Sequence, residues 1–258
     1  MTQAQHFDTP QNRRLAYHLT AGTGPCIVFL SGLKSDMEGT KAVHLEQWAK
    51  DKGYAFLRFD YSGHGESSGR FEEGCIGDWA EDTRALLEAR VEGPLLPVGS
   101  SMGGWQALLL ARAMPERIVG MVTIAAAPDF TEDGYWANFS DAQREEIKNN
   151  GQIDIPSDYM EPYRITWRMI EDGRENLVLR APLALPFAVR CLQGTADTAV
   201  SSETALRLLE HATCPDMRLT LVKDADHRFS DGPCLGIIED AVEEVGKIAL
   251  NGAETVSE

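Results

Sequence analysis

Short apolar runs alternate along the chain with longer stretches of helical spacing. Cys26-Ile27-Val28-Phe29-Leu30 has the length and continuity of a strand covered on both faces, and Tyr54 to Phe59, Leu95 to Val98, Gly120 to Ala125, Phe187 to Leu192 and Met217 to Val222 read as further strands. Arg14 to Thr20 reads as an earlier strand, followed by a turn over Ala21-Gly22-Thr23-Gly24-Pro25. Between these runs, helices are predicted over Lys41 to Lys50, with Val43, Leu45 and Trp48 on one side, and over Trp79 to Val91, with Leu86 and Leu87 inward. Further helices follow Trp105 up to Met114-Pro115 and span Ser202 to His211 and Ile237 to Leu250. Such alternation implies a mostly parallel sheet flanked by helices, with ligand chemistry beyond the carboxyl ends of the strands.

The pattern breaks between Asp129 and Pro186, where no strong buried strand is visible. Ser140-Asp141-Ala142-Gln143 has the spacing of a capping box and opens a helix through Ile147, and a second helix is predicted over Arg164 to Glu171. The expectation is one domain over 1–258 carrying a small helical lid at 129–186, with a frayed tail from Asn251.

Composition narrows the class. The 40 acidic residues against 24 basic give a net charge of −16, which argues against nucleic acid or an anionic membrane as the main partner. Cys26, Cys75, Cys191, Cys214 and Cys234 form no C-x-x-C pair, and Cys26 and Cys191 sit in apolar runs as small core residues. No apolar run approaches membrane-spanning length, so no stable membrane insertion is expected, and the polar N-terminus shows no signal region. These features together predict a cytoplasmic protein.

The run Leu95 to Val98 ends in Gly99-Ser100-Ser101-Met102-Gly103-Gly104-Trp105 and passes straight into a helix. G-x-S-x-G between a strand and a helix is the context of a nucleophile elbow, so Ser101 is the candidate nucleophile and the Met102 N–H a candidate oxyanion donor. Read one residue earlier, the motif would put Val98 and Met102 where the glycines belong. The second donor is expected just after Ser31-Gly32, at the Leu33 N–H.

A serine needs a base, and the base needs an orienting acid. After such an elbow the order is acid, then histidine, and two loops at strand carboxyl ends fit it: Asp197 in Gln193 to Val200, and His227 in Lys223 to Phe229. Asp224 and Asp226 are alternative acids, and His64, in the loop after Phe59, is an alternative base; Asp60 is expected to fix that loop by accepting backbone N–H bonds. Trp136, Phe139, Trp167 and Met169 are candidates for an acyl-binding wall or for packing the lid onto the core, and Arg174 for a carboxylate contact. No metal-ligand spacing, P-loop or dinucleotide pattern occurs, so no metal or cofactor is expected.

With the elbow, the Asp197 loop and Asp226-His227 in this order, the chain resembles the α/β-hydrolase superfamily from about Arg14 to Leu250. A serine rather than an aspartate at position 101 departs from the dehalogenase and epoxide-hydrolase pattern. Phe29 to Ala42, Arg58 to Ser67 and Met169 to Arg174 further resemble the palmitoyl-protein thioesterase and acyl-glucuronide deacylase branch with its bacterial relatives. That resemblance implies the roles of Ser101, Asp197 and His227 as a triad, and hydrolysis of acyl thioesters, including cysteine-linked acyl groups on proteins, and of activated oxygen esters. Small-molecule carboxylester hydrolysis, acyltransfer, perhydrolysis, carbon-carbon bond hydrolysis and a non-catalytic binding role remain the alternatives at this point. Oligomeric state is not legible.

Overall fold

The computed structural model describes residues 3–156 and 162–255. In chain order the strands are β1 (Gln5–Asp8), β2 (Arg14–Thr20), β3 (Thr23–Leu30), β4 (Tyr54–Phe59), β5 (Leu95–Ser100), β6 (Gly120–Ile124), β7 (Gln152–Ile155), β8 (Tyr163–Thr166), β9 (Leu183–Ala184), β10 (Ala188–Gly194), β11 (Ala212–Thr213) and β12 (Asp216–Val222). The helices are α1 (Thr40–Lys52), α2 (Ile76–Arg90), α3 (Met102–Ala113), α4 (Asp141–Asn150), α5 (Trp167–Glu175), α6 (Ser202–His211) and α7 (Gly232–Thr255).

The main sheet has eight strands in the order β1-β2-β4-β3-β5-β6-β10-β12. From β4 onward every neighbouring pair is parallel, while β1 and β2 pair antiparallel and β2 meets β4 antiparallel. The continuous apolar strands serve both faces. Ile27 and Phe29 of β3 pack with Leu45, Trp48, Ile238 and Val242 of α1 and α7, whereas Val28 and Leu30 pack with Leu86, Trp105 and Leu108 of α2 and α3. This is the mostly parallel, helix-flanked sheet expected from the pattern and the α/β-hydrolase fold that the resemblance implies, and the carboxyl ends of β5, β10 and β12 lie along one rim.

Some elements differ from the sequence expectations. The polar stretch before Arg14 contributes β1, an edge strand held by main-chain bonds that demand no apolar side chains. In α1 the inward apolar residues are Ala42, Leu45, Trp48 and Ala49, with Glu46 buried beside them, while Val43 is 40% exposed. Residues after Asn251 continue α7 to Thr255 instead of fraying, and the last three lie outside the described residues.

The insertion between β6 and β10 contains a π-helical turn at Thr131–Trp136, then α4, β7, β8, α5 and β9. Ser140 and Gln143 form the expected capping box, with the Gln143 amide donating to Ser140 Oγ (3.3 Å) and the Ser140 amide to Gln143 Oε1 (2.9 Å). The predicted helix over Arg164 to Glu171 is divided instead. Tyr163–Thr166 pairs antiparallel with β7, so Ile165 faces Ile153, and α5 starts only at Trp167, where Thr166 Oγ1 accepts from the Met169 amide (3.1 Å). A two-stranded ribbon carries too few residues for its period to stand out against that of the following helix.

Candidate active site

β5 ends at Ser100 and α3 begins at Met102, leaving Ser101 alone to turn the chain. Its φ of 56° and ψ of −119° lie where L-residues are strained, and the surroundings enforce them. The Ser101 amide donates to the Ile124 carbonyl (2.9 Å), and its carbonyl accepts from the amides of Gly104 (2.9 Å) and Ala127 (3.1 Å). Glycine at 99 and 103 is required by close approach: an added Cβ would run into the Gly103 carbonyl at the first and the Leu30 carbonyl at the second.

The rim brings the three distant side chains together. His227 Nε2 lies 3.1 Å from Ser101 Oγ, and His227 Nδ1 lies 2.8 Å from Asp197 Oδ2. The Asp197 side chain is wholly buried, whereas that of His227 is 30% exposed. Asp197 Oδ1 accepts from the amides of Ala199 (2.9 Å) and Val200 (2.8 Å). Burial pushes this carboxyl up, but the His227 bond and charge together with the backbone amides outweigh it and hold the pKa below the ordinary value.

The neighbouring acids are placed elsewhere: Asp226 Oδ1 accepts from the Phe229 amide within its own loop, and the Asp224 amide donates to Thr195 Oγ1. His64 is buried among the rings of Tyr61, Phe71 and Trp79, with Nδ1 3.1 Å from the Ser62 carbonyl. Burial lowers its pKa to about 4, so the imidazole is neutral near pH 7. Asp60 accepts from the amides of Met37 (2.7 Å) and Glu66 (2.8 Å), tying the loop after β4 to the loop after β3.

The loop after β3 presses on the elbow: a Cβ at Gly32 would sit 3.3 Å from the Ser101 Cβ, which puts the backbone before Leu33 beside the serine. A cavity of about 160 Å³ adjoins this loop, lined by Ser31, Gly32, Lys41, Ser100, Arg228 and Ser230. None of the aromatic residues singled out in the insertion lines it.

Those residues form a cluster of their own. Trp136 lies 5.4 Å from Trp167 and 6.4 Å from Phe139 between ring centres. The guanidinium of Arg174 sits 4.7 Å above Trp136 and bonds to Glu132 Oε2 at 2.7 Å, while Lys148 covers both indoles. Met169 and Phe139 are buried in the adjoining core. Arg174 is therefore engaged by a stack and an ion pair. Two buried polar side chains, Gln193 beside Asp197 and Asp129 at the root of the insertion, carried no motif; their partners are visible only in three dimensions.

Among the described residues no group of three or more His, Cys, Asp or Glu side chains is arranged to hold a metal ion, and no helix is long and apolar enough to cross a membrane. The five cysteines are free thiols, and burial pushes Cys26 up to about 12 and Cys191 to about 11.

Residues 24–152 match the family model described as serine aminopeptidase, S33. The mitochondrial palmitoyl-protein thioesterase ABHD10 of Mus musculus is 36% identical over 84% of this chain and 73% of its own length. The Homo sapiens protein of the same name is 31% identical over 96% of this chain and 82% of its own. Among solved structures, a crystal structure from Agrobacterium vitis S4 superposes with a TM-score of 0.90 at 36% identity, covering 94% of this chain and 98% of that one. The mouse α/β hydrolase domain-containing protein 10 gives 0.87 at 31% identity with the same coverage. The expectation of a cytoplasmic protein is overturned here, since the named relatives are mitochondrial; a polar N-terminus does not assign a compartment. By sequence and by fold, the chain belongs to the α/β-hydrolase superfamily, as a serine hydrolase of esters or thioesters in the branch that contains the ABHD10 thioesterases.

Proposed function

We propose that Ser101, His227 and Asp197 form a catalytic triad that hydrolyses acyl thioesters, including S-acylated cysteine, through an acyl-enzyme. The observation that carries this reading is the continuous hydrogen-bonded line from buried Asp197 through His227 to the strained Ser101 at the rim. His227 Nε2 removes the Ser101 proton as Oγ attacks the acyl carbonyl. Asp197 holds Nδ1–H, which leaves Nε2 free to accept, and stabilises the imidazolium that forms. The oxyanion is held by the backbone N–H groups of Met102, at the start of α3, and Leu33, beside the close contact of Gly32 with Ser101. His227 then protonates the leaving group and activates water to cleave the acyl-enzyme. A thiolate leaves readily without full protonation, so a thioester asks less of His227 than an amide does.

In this reading the insertion between β6 and β10 acts as a lid, and the Trp136, Phe139 and Trp167 ring cluster, with Met169 in the adjoining core, stiffens it. The substrate is an acyl thioester or ester, on a small molecule or on a protein.

The deciding experiment is single-turnover mass spectrometry on wild type and Ser101→Ala with paired C2 to C16 thioesters and oxygen esters. An aminoacyl amide arm covers the peptidase named by the family model. An acyl adduct on Ser101 that clears in water, fastest with thioesters, is expected. Turnover that survives in Ser101→Ala, or faster clearance of amides, would overturn the proposal.

A further inference from the structure

Gln193, the penultimate residue of β10, is fully buried, and its polar groups are unevenly satisfied. Its Nε2 faces three acceptors: Asp197 Oδ2 (3.0 Å), the Val200 carbonyl (3.0 Å) and the Gly194 carbonyl (3.2 Å). Its Oε1 is buried with no hydrogen-bond partner among the described residues. Leaving a buried amide oxygen unpaired is unfavourable, so the N–H contacts must offset it. The orientation is chemically forced, because turning the amide over would set its oxygen against a carboxylate and two carbonyls.

The same atom that Gln193 reaches, Asp197 Oδ2, also holds His227 Nδ1. The Val200 carbonyl that it holds belongs to the residue whose amide binds Asp197 Oδ1. One side chain thus bonds both the acid and the far end of the loop that carries it.

We propose that Gln193 is a positioning residue for Asp197, a role that rests on the triad reading above. Acting through Asp197, it fixes the direction of Oδ2 toward His227 and favours the ionised carboxylate by donating to it. A neutral amide suits the place, because it donates at every pH at which the enzyme is folded. A carboxylic acid of the same shape would donate only while protonated, and once ionised it would repel Asp197.

The test compares wild type, Gln193→Glu, Gln193→Leu and Ser101→Ala for kcat, KM and thermal midpoint with one thioester, from about pH 6 to pH 9, the range in which a buried glutamate is expected to ionise. Gln193→Leu is expected to lose about 10- to 100-fold in kcat, as for a lost hydrogen bond to a charged group, with KM within about twofold. Gln193→Glu is expected to come nearest to wild type at the acid end, its kcat relative to wild type falling about tenfold or more toward the alkaline end. A purely structural residue would give a ratio that is flat in pH and follows the thermal midpoint. Such a flat ratio, kcat within about twofold of wild type in both variants, or failure of both to fold while Ser101→Ala folds, would overturn the positioning role. Full activity in Ser101→Ala would instead overturn the triad reading itself, so the two failures are distinguishable.

Discussion

Two buried aspartates, Asp197 at the rim and Asp129 at the root of the insertion, have similar partners and opposite consequences. The side chain of each is wholly buried and accepts two consecutive backbone amides, Ala199 and Val200 for the first, Val178 and Leu179 for the second. Each also receives a cationic or ionisable donor, His227 on Asp197 and Arg180 on Asp129. At Asp129 burial prevails, so its pKa stands above the ordinary value, whereas at Asp197 the hydrogen bonds and the His227 charge prevail and the pKa stands below it. The partner of Asp129 ends in an ion-pair group with Asp133, which also binds Arg207. The partner of Asp197 reaches onward to Ser101. A buried carboxylate clasping two amides is thus a general way to lock a loop, and under the proposed triad it serves chemistry only where another of its donors, here His227, in turn faces a serine hydroxyl. Asp129 fastens the start of the insertion to the segment at residues 178–180 and stops there.

The largest effect that can break this contrast is Asp197→Asn. It is expected to lower kcat about 10⁴-fold, by losing control of the His227 tautomer, with a much smaller loss of stability. Steady-state kinetics beside urea unfolding measure both; an equal loss in Asp129→Asn without unfolding would dissolve the distinction.

Asp129→Asn should instead act on stability. Its side chain keeps one acceptor for three donors, so a loss of about 2–3 kcal/mol in urea unfolding is expected, with kcat changed less than about tenfold.

The acid limb of stability sharpens the contrast through its sign. Asp197 titrates below its ordinary 3.8 in the folded protein. Its contribution is therefore fully present above that value and is lost as pH falls through the lower folded pKa. Asp129 titrates above 3.8 when folded, so the native state holds its proton to higher pH and stability falls as pH rises from 3.8 through that folded pKa. Urea unfolding across the acid range should show Asp197→Asn removing a rising slope below 3.8 and Asp129→Asn a falling slope above it. Slopes of the same sign in both variants would contradict the assignment.

The smallest effect belongs to the cation above the indoles. Arg174→Gln, which removes the stack on Trp136 and the pair with Glu132, is expected to cost about 0.5–1 kcal/mol and to leave kcat on short acyl substrates unchanged. A kcat loss comparable with that of Asp197→Asn would move this cluster into the reacting centre.

How far the site was legible depended on how local its signals are. Ser101 was readable because an elbow is a local object whose strand, glycines and helix are contiguous in the chain. Asp197 and His227 could be singled out because each lies in the loop that follows a strand and the order of such loops is constrained. Asp129 was not readable, since the amides and the arginine that give it a purpose lie 49 to 51 residues away. Gln193 stands out in the sequence only as the start of a loop, because a buried glutamine gives no periodic signal.

What the sequence determined by itself is the alternation of short strands and helices, the elbow, and the loops that bring an acid and a histidine to the same rim, all of which rest on apolar periodicity and short-range turn chemistry. Tertiary structure alone decided that residues 163–166 pair with β7 rather than lengthen α5, that Arg174 is held in a stack, and that Asp197 is ionised and aimed while Asp129 is merely clasped. The physical reason is common to all three. Pairing, desolvation and charge depend on which distant groups share a volume, and only the packed chain sets that.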